Sequence, residues 1–557
     1  MAKPMSTSPN DSALSRRRMM QSLSAAGAAL LAPEGRADAS GLRIAGKDVE
    51  IGLTSLTSTT LRLTVQPMVD GKLGEIPDDG TLVRTDFGPP AATFRAQPKK
   101  VKAGNLRVAF TLDPPTFTIQ SANGETIQQI AIDPATAAIS FATGAVPILG
   151  LGKGGPQYDR RGNTDSMISG SSGYNLRNFG SHVPIPWLIG AGGWAIYVHQ
   201  PYGRFDLTGD PCRFQPAPPF VPRARGVPPP PPPADISIFA LPIDLFVVAS
   251  KDPAVIMQEW ARLTGRPEMP PLWSFGYQQS HRTLLGRDEI LQEAKTFREK
   301  NLPCDAMIYL GTGFCPAGWN TNNGEFTFNQ KVMPDPKAMF DQLHQDHFKV
   351  VLHVAYPTGI REMKGTVRET CDPSRRAETQ ASCYWDKHRP LLAIGVDGWW
   401  PDEGAALDLP SRLVRNRMYW DAYQLDRPNE RPYALHRNGA AGMARYAPVL
   451  WSGDVSSMWL TLKNQVPIGI NSGLSGIPLG HGHWRLRSHS GTHRGTLRPL
   501  VPVRRVLSAV PLAWARVDAA PAMRVGGRRE WVIPWTFTKA SPAKRVLCRN
   551  GDTVLQS

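Results

Sequence analysis

From about Gly41 to Val248 the chain alternates apolar and polar residues in short runs. Thr60-Leu61-Arg62-Leu63-Thr64-Val65 and Trp194-Ala195-Ile196-Tyr197-Val198 are examples, and Gly, Pro and Asn turns separate them. Many short strands with turn punctuation predict a β-sandwich, placed here over residues 40–255. After about Pro267 the period changes. Asp288 to Asn301 carries Ile290, Leu291, Ala294 and Phe297 at helical spacing, and the strand-like Ala306 to Leu310 follows. Then come a helix from Pro336 to Phe348, a strand from Val350 to Val354, a helical stretch near Arg375 to Arg389 and a strand from Ala393 to Val396. Alternating helices and strands predict a parallel sheet. Over this length the closed solution is a (β/α)8 TIM barrel, with strands one to about six in residues 256–478. Such barrels carry their active sites at the C-terminal ends of the strands, so the residues just past each strand are the first candidates for chemistry.

Composition narrows the class. Of 557 residues 41% are hydrophobic and 20% charged, which supports a large core and excludes wholesale disorder. The 51 glycines and 52 prolines favour turns and loops over a helix bundle. The run Pro228 to Pro233 reads as a stiff polyproline II surface loop. At the N-terminus, Ser15-Arg16-Arg17-Arg18 precedes the short apolar run Leu23 to Ala32 and the small-residue site Ala37-Asp38-Ala39. This is the pattern of an export signal over residues 1–39, and its paired arginines resemble a twin-arginine signal. The expected location is therefore periplasmic or secreted. Beyond the N-terminus no apolar run reaches 18 residues, so no membrane span is expected. Among six cysteines, Cys371 and Cys383 flank an Asp372-Pro373 turn and form a candidate pair that sequence leaves open. No Cys/His group has structural zinc spacing.

Two carboxylates stand out. Asp402 lies beyond the strand at Ile394 to Val396, in Gly398-Trp399-Trp400-Pro401-Asp402-Glu403-Gly404. Asp454 lies beyond Tyr446 to Leu450, in Trp451-Ser452-Gly453-Asp454. Paired carboxylates in an aromatic-walled cleft suit glycoside hydrolysis, and an aspartate capping the next helix is the simpler alternative. The segment from Asp397 to Glu403 resembles the nucleophile motif of glycoside hydrolase family 31. His436-Arg437-Asn438 through Arg445-Tyr446, running into Trp451 and Asp454, resembles that family's acid/base region. Leu272 to Gln279 is similar to its first barrel strand, and Pro201 to Phe205 to part of its N-terminal sandwich.

The resemblance implies retaining hydrolysis of α-linked sugars, of the α-glucosidase or α-xylosidase type. An oligosaccharide or glycoside would be the substrate, with no cofactor, no metal and no nucleic-acid partner. It implies Asp402 as nucleophile, Asp454 as general acid and then base, Arg437 as a sugar contact, and Trp400 and Trp451 as walls. His353 reads either as a substrate contact or as a satisfied structural histidine. Asp397 and Arg445 read as structural. The family often has a sugar-binding aspartate after the strand at Ala306 to Leu310. Here Gly311-Thr312-Gly313-Phe314 stands there, which leaves the sugar open.

The family pattern stops at Pro478. From Leu479 onward, 14 lysines and arginines face 3 aspartates and glutamates, so 11 of the 16 net positive charges sit in the last 79 residues. With Leu479 to Leu486 written as CTG GGG CAC GGA CAT TGG CGG CTT, reading from the second base yields WGTDIGGF. Permitted codons through Arg516 continue it as VPTPELTGELYVRWFQFGAFCPLFRSHGR. Both strings resemble the family at this place in its barrel. The expectation is a reading frame shifted immediately after Pro478, with residues 479–557 an out-of-frame basic tail and the end of the barrel incomplete. Two rivals follow: a carbohydrate-binding chain without catalysis, and a binding protein that uses the tail on nucleic acid or anionic lipid, marked by steep salt dependence. Sequencing the encoding DNA across the Pro478 codon is expected to find one inserted base or two lost bases relative to the frame that encodes WGTDIGGF; an unambiguous in-frame tail would overturn the shift.

Overall fold

A computed structural model describes residues 41–477, apart from 96, 98, 171–175, 220–232, 282–284, 310–317, 320–324, 358 and 457, together with the backbone of 480–481, 546–549 and 552–555. The export signal, Pro228 to Pro232, Gly311 to Phe314 and most of the basic tail lie outside the described residues.

Residues 43–249 form two antiparallel sheets of nine and eight strands. Ile51, Leu63, Ile196 and Val247 of the first and Val108, Phe117, Ile130 and Phe214 of the second meet in one apolar core. The strand Pro115–Gln120 alternates buried and half-buried residues, as a sheet with one covered face requires. The strand Ile243–Ala249 is buried at every position. Leu245 and Val247 face the core between the sheets, whereas Phe246 and Val248 pack with Trp260, Ala440, Met443 and Leu450 from the second half of the chain. Trp187 and Trp260 stack there with ring centroids 4.5 Å apart. A strand covered on both faces reads as a continuous apolar run.

The second half is a seven-stranded sheet in sequential order: Gln278–His281, Ala306–Tyr309, Lys349–Ala355, Gly398–Asp402, Ala434–His436, Pro448–Trp451 and Gly480–His481. Every neighbouring pair is parallel. Helices Pro253–Thr264, Pro336–Gln345 and Leu409–Asp426 start the same way. Asp252, Asp335 and Asp408 accept backbone N–H bonds from Ala254 (2.8 Å), Ala338 (3.0 Å) and Ser411 (2.9 Å), and each helix has proline in its first turn. The carboxylate satisfies a donor the first turn leaves free, and proline there removes a donor that has no partner.

Three strands are placed differently from the sequence reading, and the helix from Pro336 ends at Gln345 rather than Phe348. Ala393 to Val396 is not a strand: helix Arg389–Ala393 ends there, Gly395 takes φ 112°, and the strand is Gly398–Asp402. Asp402 is therefore the strand's last residue. Pro390 in the first turn favours the helix over a strand. Leu272–Phe275 is a 3-10 turn with Leu272 83% exposed, and the first strand begins at Gln278. Pro271 precedes that turn, and the Ser274 hydroxyl donates back to the Pro271 carbonyl at 2.7 Å, a local bond that competes with a ladder. Met443–Tyr446 is likewise a 3-10 turn, Ala447 is left-handed, and the sixth strand begins at Pro448. The helical stretch near Arg375 to Arg389 breaks into Ala377–Thr379 and Ala381–Asp386, and Cys371 and Cys383 are disulfide-bonded with Cα atoms 5.1 Å apart. Arg445 is structural, donating to the carbonyls of Gly80, Leu82 and Gly442. Asp397 is too, accepting from Lys349 Nζ and the Val350 N–H.

One buried charge cluster braces the first half. His199 Nδ1 lies 2.7 Å from Asp244 and its Nε2 3.0 Å from Asp79, while Arg62 donates twice to Asp244, at 2.7 and 3.0 Å. Both ring nitrogens face carboxylates, so both carry protons. Burial opposes the charge, but the bonds to Asp244 and Asp79 outweigh it and push His199 up to about 10. Its folded pKa lies above the ordinary value near 6.5, so its stabilisation is complete below about pH 6.5 and is lost as pH rises toward about 10. Thermal unfolding of the wild type should fall across that window, by a few kcal/mol at about 1.4 kcal/mol per pKa unit. His199→Gln should be less stable at pH 6 and should lose much of the slope; an equally steep fall in the variant would refute the cluster's role.

Candidate active site

Parallel order puts the C-terminal ends of successive strands along one edge, and the candidate residues gather there. His353 lies on the third strand, Trp400 and Asp402 on the fourth, Arg437 immediately after the fifth, and Trp451 ends the sixth with Asp454 three residues beyond. Register sets His353 beside Trp400 and Ala355 beside Asp402.

Asp402 is buried, yet its carboxylate is fully engaged. Arg437 Nη1 donates to Oδ1 at 2.8 Å, His353 Nε2 lies 3.0 Å from Oδ2, and the Glu403 N–H donates to Oδ1 at 2.7 Å. Burial alone would raise its pKa. The His353 bond and the Arg437 charge outweigh burial and hold the carboxyl well below the usual carboxylate range, so it is ionised. The Arg437 guanidinium lies 5.0 Å from the Trp451 ring centroid; Trp451 meets Trp400 edge to face at 4.6 Å, and Trp400 meets His353 at 4.5 Å. His353 is buried, and it holds Asp402 directly. Asp454 is half-buried, and its charge acts on both Glu403 and Arg437.

Several residues escaped the sequence reading. Glu403 sits in a left-handed conformation (φ 57°) with Oε1 3.5 Å from Arg437 Nη1. Burial, then the charges of Asp402 and Asp454, raise its pKa against the pull of Arg437. Strained backbone beside a perturbed carboxylate is common where function constrains the chain. Arg415 donates to the carbonyls of Asp402 (2.8 Å) and Glu403 (3.0 Å) and so holds the turn. Asn438 donates to the Glu403 carbonyl and accepts from Ser169 at 3.0 Å. Lys153 reaches the same region from the first half of the chain, fully buried, and burial pushes its pKa down to about 7. Glu403 and Asn438 adjoin the recognised Asp402 and Arg437, a signal that could have found them. Nothing near Lys153 in sequence marks it. Among the described residues no three His, Cys, Asp or Glu side chains are grouped to hold a metal ion. No described helix is long and apolar enough to cross a membrane.

The model of the glycosyl hydrolases family 31 TIM-barrel domain matches residues 267–379 and 368–481. An alpha-xylosidase of Saccharolobus solfataricus is 26% identical over 332 residues, covering 53% of this chain and 43% of that protein. Alpha-glucosidase 2 of Bacillus thermoamyloliquefaciens is 27% identical over 285 residues, covering 42% and 35%. The chain thus spans less than half the length of either relative. Among solved structures, a family 31 alpha-xylosidase from a soil metagenome, in complex with xylose, superposes with TM-score 0.59 at 17% identity, covering 78% of this chain and 69% of that one. A family 31 dextranase of Flavobacterium johnsoniae superposes with TM-score 0.61 at 18% identity, covering 78% and 58%. At such identities the superpositions speak for the fold, a TIM-barrel domain. Together with the barrel match and the relatives in sequence, they show that residues 267–481 are similar to the family 31 TIM-barrel domain.

Proposed function

We propose that the protein hydrolyses α-linked glycosides with retention, as an α-glucosidase or α-xylosidase type enzyme. The observation that carries this reading is the ionised Asp402 carboxylate, buried at the end of the fourth strand between Arg437 and His353. A carboxylate that stays charged without water is suited to attack an anomeric carbon. In the first step Asp402 forms a bond to C1, the glycosidic C–O bond breaks, and Asp454 gives its proton to the departing oxygen. In the second, Asp454 takes a proton from water as that water attacks C1 and releases Asp402. The route requires the two carboxyl groups about 5–5.5 Å apart. Arg437 suits a second task, since a guanidinium bonded to the nucleophile retains donors for a sugar hydroxyl. The indoles of Trp400 and Trp451 would cover an apolar sugar face.

The domain plan belongs to the same reading: an export signal over residues 1–39, a β-sandwich over 40–255, barrel strands one to about six over 256–478 and an out-of-frame tail after Pro478. The core shared by the two antiparallel sheets supports the sandwich. The end of the family match at residue 481 supports the frame break. The Cys371–Cys383 disulfide supports a periplasmic or secreted location, since disulfides persist in oxidising compartments.

Two measurements test the chemistry, on the full chain and on the chain with its frame restored after Pro478. Proton NMR of aryl α-xyloside and α-glucoside cleavage should show the α-anomer forming first, and a β-anomer would exclude retention. Asp402→Ala should lower kcat by several orders of magnitude with an unchanged circular dichroism spectrum; retained turnover would remove Asp402 from the nucleophile's role.

A further inference from the structure

Asp454 sits on a loop that the barrel alone does not hold. Trp451 ends the sixth strand, and Ser452 and left-handed Gly453 lead to Asp454. The backbone before Asp454 is gripped from the opposite half of the chain. The Ser181 N–H donates to the Ser452 carbonyl at 2.9 Å, and the Ser181 hydroxyl donates to the Trp451 carbonyl at 3.1 Å. Lys153 lies behind this contact. Its Nζ donates to the Ser181 carbonyl, to the Ser181 hydroxyl oxygen at 3.0 Å and to the Ser452 carbonyl at 3.4 Å. Lys153 and Val183 exchange backbone bonds of 2.9 and 2.8 Å, which fixes the lysine relative to the Ser181 segment. Gly180 permits the approach: at φ 87° it lies so close to the Ser452 carbonyl that a Cβ would collide with that oxygen.

We propose that Lys153 is a positioning residue for the general acid/base: through Ser181 and the Ser452 carbonyl it fixes the backbone from which Asp454 projects. The assignment rests on the reading of Asp454 as the acid/base given above. Three hydrogen bonds converge on Lys153 Nζ, and every acceptor is a neutral oxygen. No carboxylate shares the site as an ion-pair partner among these bonds, so the lysine's contribution is directional. Without the lysine donor the Ser181 carbonyl loses the Lys153 bond and the Ser452 carbonyl keeps the Ser181 N–H, so the grip on the backbone before Asp454 is weakened. A displacement of about 1 Å in a catalytic group costs on the order of 100-fold in rate.

Leaving-group dependence separates positioning from plain structural support. An alkyl or sugar leaving group needs a proton as the C1–O bond breaks, whereas fluoride departs with little need of one. In Lys153→Met, kcat/KM for methyl or disaccharide α-glycosides should fall about 10- to 100-fold, and for the matching α-glycosyl fluoride by less than about 3-fold. The α-xylosyl and α-glucosyl series are both assayed, on the full chain and on its frame-restored form. If Lys153→Met does not fold, Ser181→Ala, which loses the hydroxyl bond to Trp451, is judged by the same ratio. Equal losses on both leaving groups, or no loss on either, in a variant of an active parent overturn the positioning role alone. A parent that cleaves none of these glycosides overturns the hydrolase reading, and the role of Lys153 with it.

Discussion

A carboxylate removed from water must be paired, or it takes up a proton. Asp402 is 8% exposed, and the desolvation of such an ion costs several kcal/mol before any compensation. Compensation comes from neighbours on both sides in space: His353 on the third strand and Arg437 after the fifth. Neither is adjacent to Asp402 in the chain. The parallel sheet brings them together, because in-register strands in sequential order align their C-terminal ends. The aromatic rings reinforce the arrangement. Trp400 and Trp451 pack edge to face and Arg437 lies against Trp451, so the charged groups have little freedom to move apart.

The sheet is only half of the enclosure. Lys153, Ser169 and Ser181, from the first half of the chain, reach the same edge and touch both sides of the site. Ser169 reaches Asn438, which holds the carbonyl of Glu403 beside Asp402. Lys153 and Ser181 reach Trp451 and Ser452 ahead of Asp454. Behind these polar contacts the Trp187–Trp260 stack and the apolar residues around Phe246, Met443 and Leu450 join the two halves over a dry surface. The close approach at Gly180 and the left-handed turns at Glu403 and Gly453 stand where these halves meet the loops that carry Asp402 and Asp454. Strained backbone concentrates where surrounding contacts over-determine it.

Much of this was legible in the chain. The period of two in Thr60 to Val65 marks a strand, although the structure buries both its faces, and the helical spacing of Ile290, Leu291, Ala294 and Phe297 reports one buried face; both elements stand where those patterns place them. The six candidate residues were found from motifs and strand ends, and the structure brings His353, Trp400, Asp402, Arg437 and Trp451 into mutual contact, with Asp454 close enough for its charge to act on Arg437. The misplaced strands had a common cause. Ala393 to Val396 and Leu272 to Phe275 are short apolar runs, which periodicity does not distinguish from a helical turn. Pro390 and Pro271 were the discriminating residues.

The sequence by itself determined the alternation of elements, the helix starts set by Asp252, Asp335 and Asp408, and the residue types available for acid–base and nucleophilic chemistry. These follow from local rules: a repeat of burial, a cap, a motif of adjacent residues. Only the tertiary structure decided that His353 holds Asp402, that Glu403 feels the charges of Asp402, Arg437, Asp454 and His353, and that Lys153 and Ser452, 299 positions apart, share a hydrogen bond. Such contacts leave no trace in local pattern. Protonation and position here depend on how much water is excluded and which charge lies within a few ångströms, and both are set when distant segments pack together.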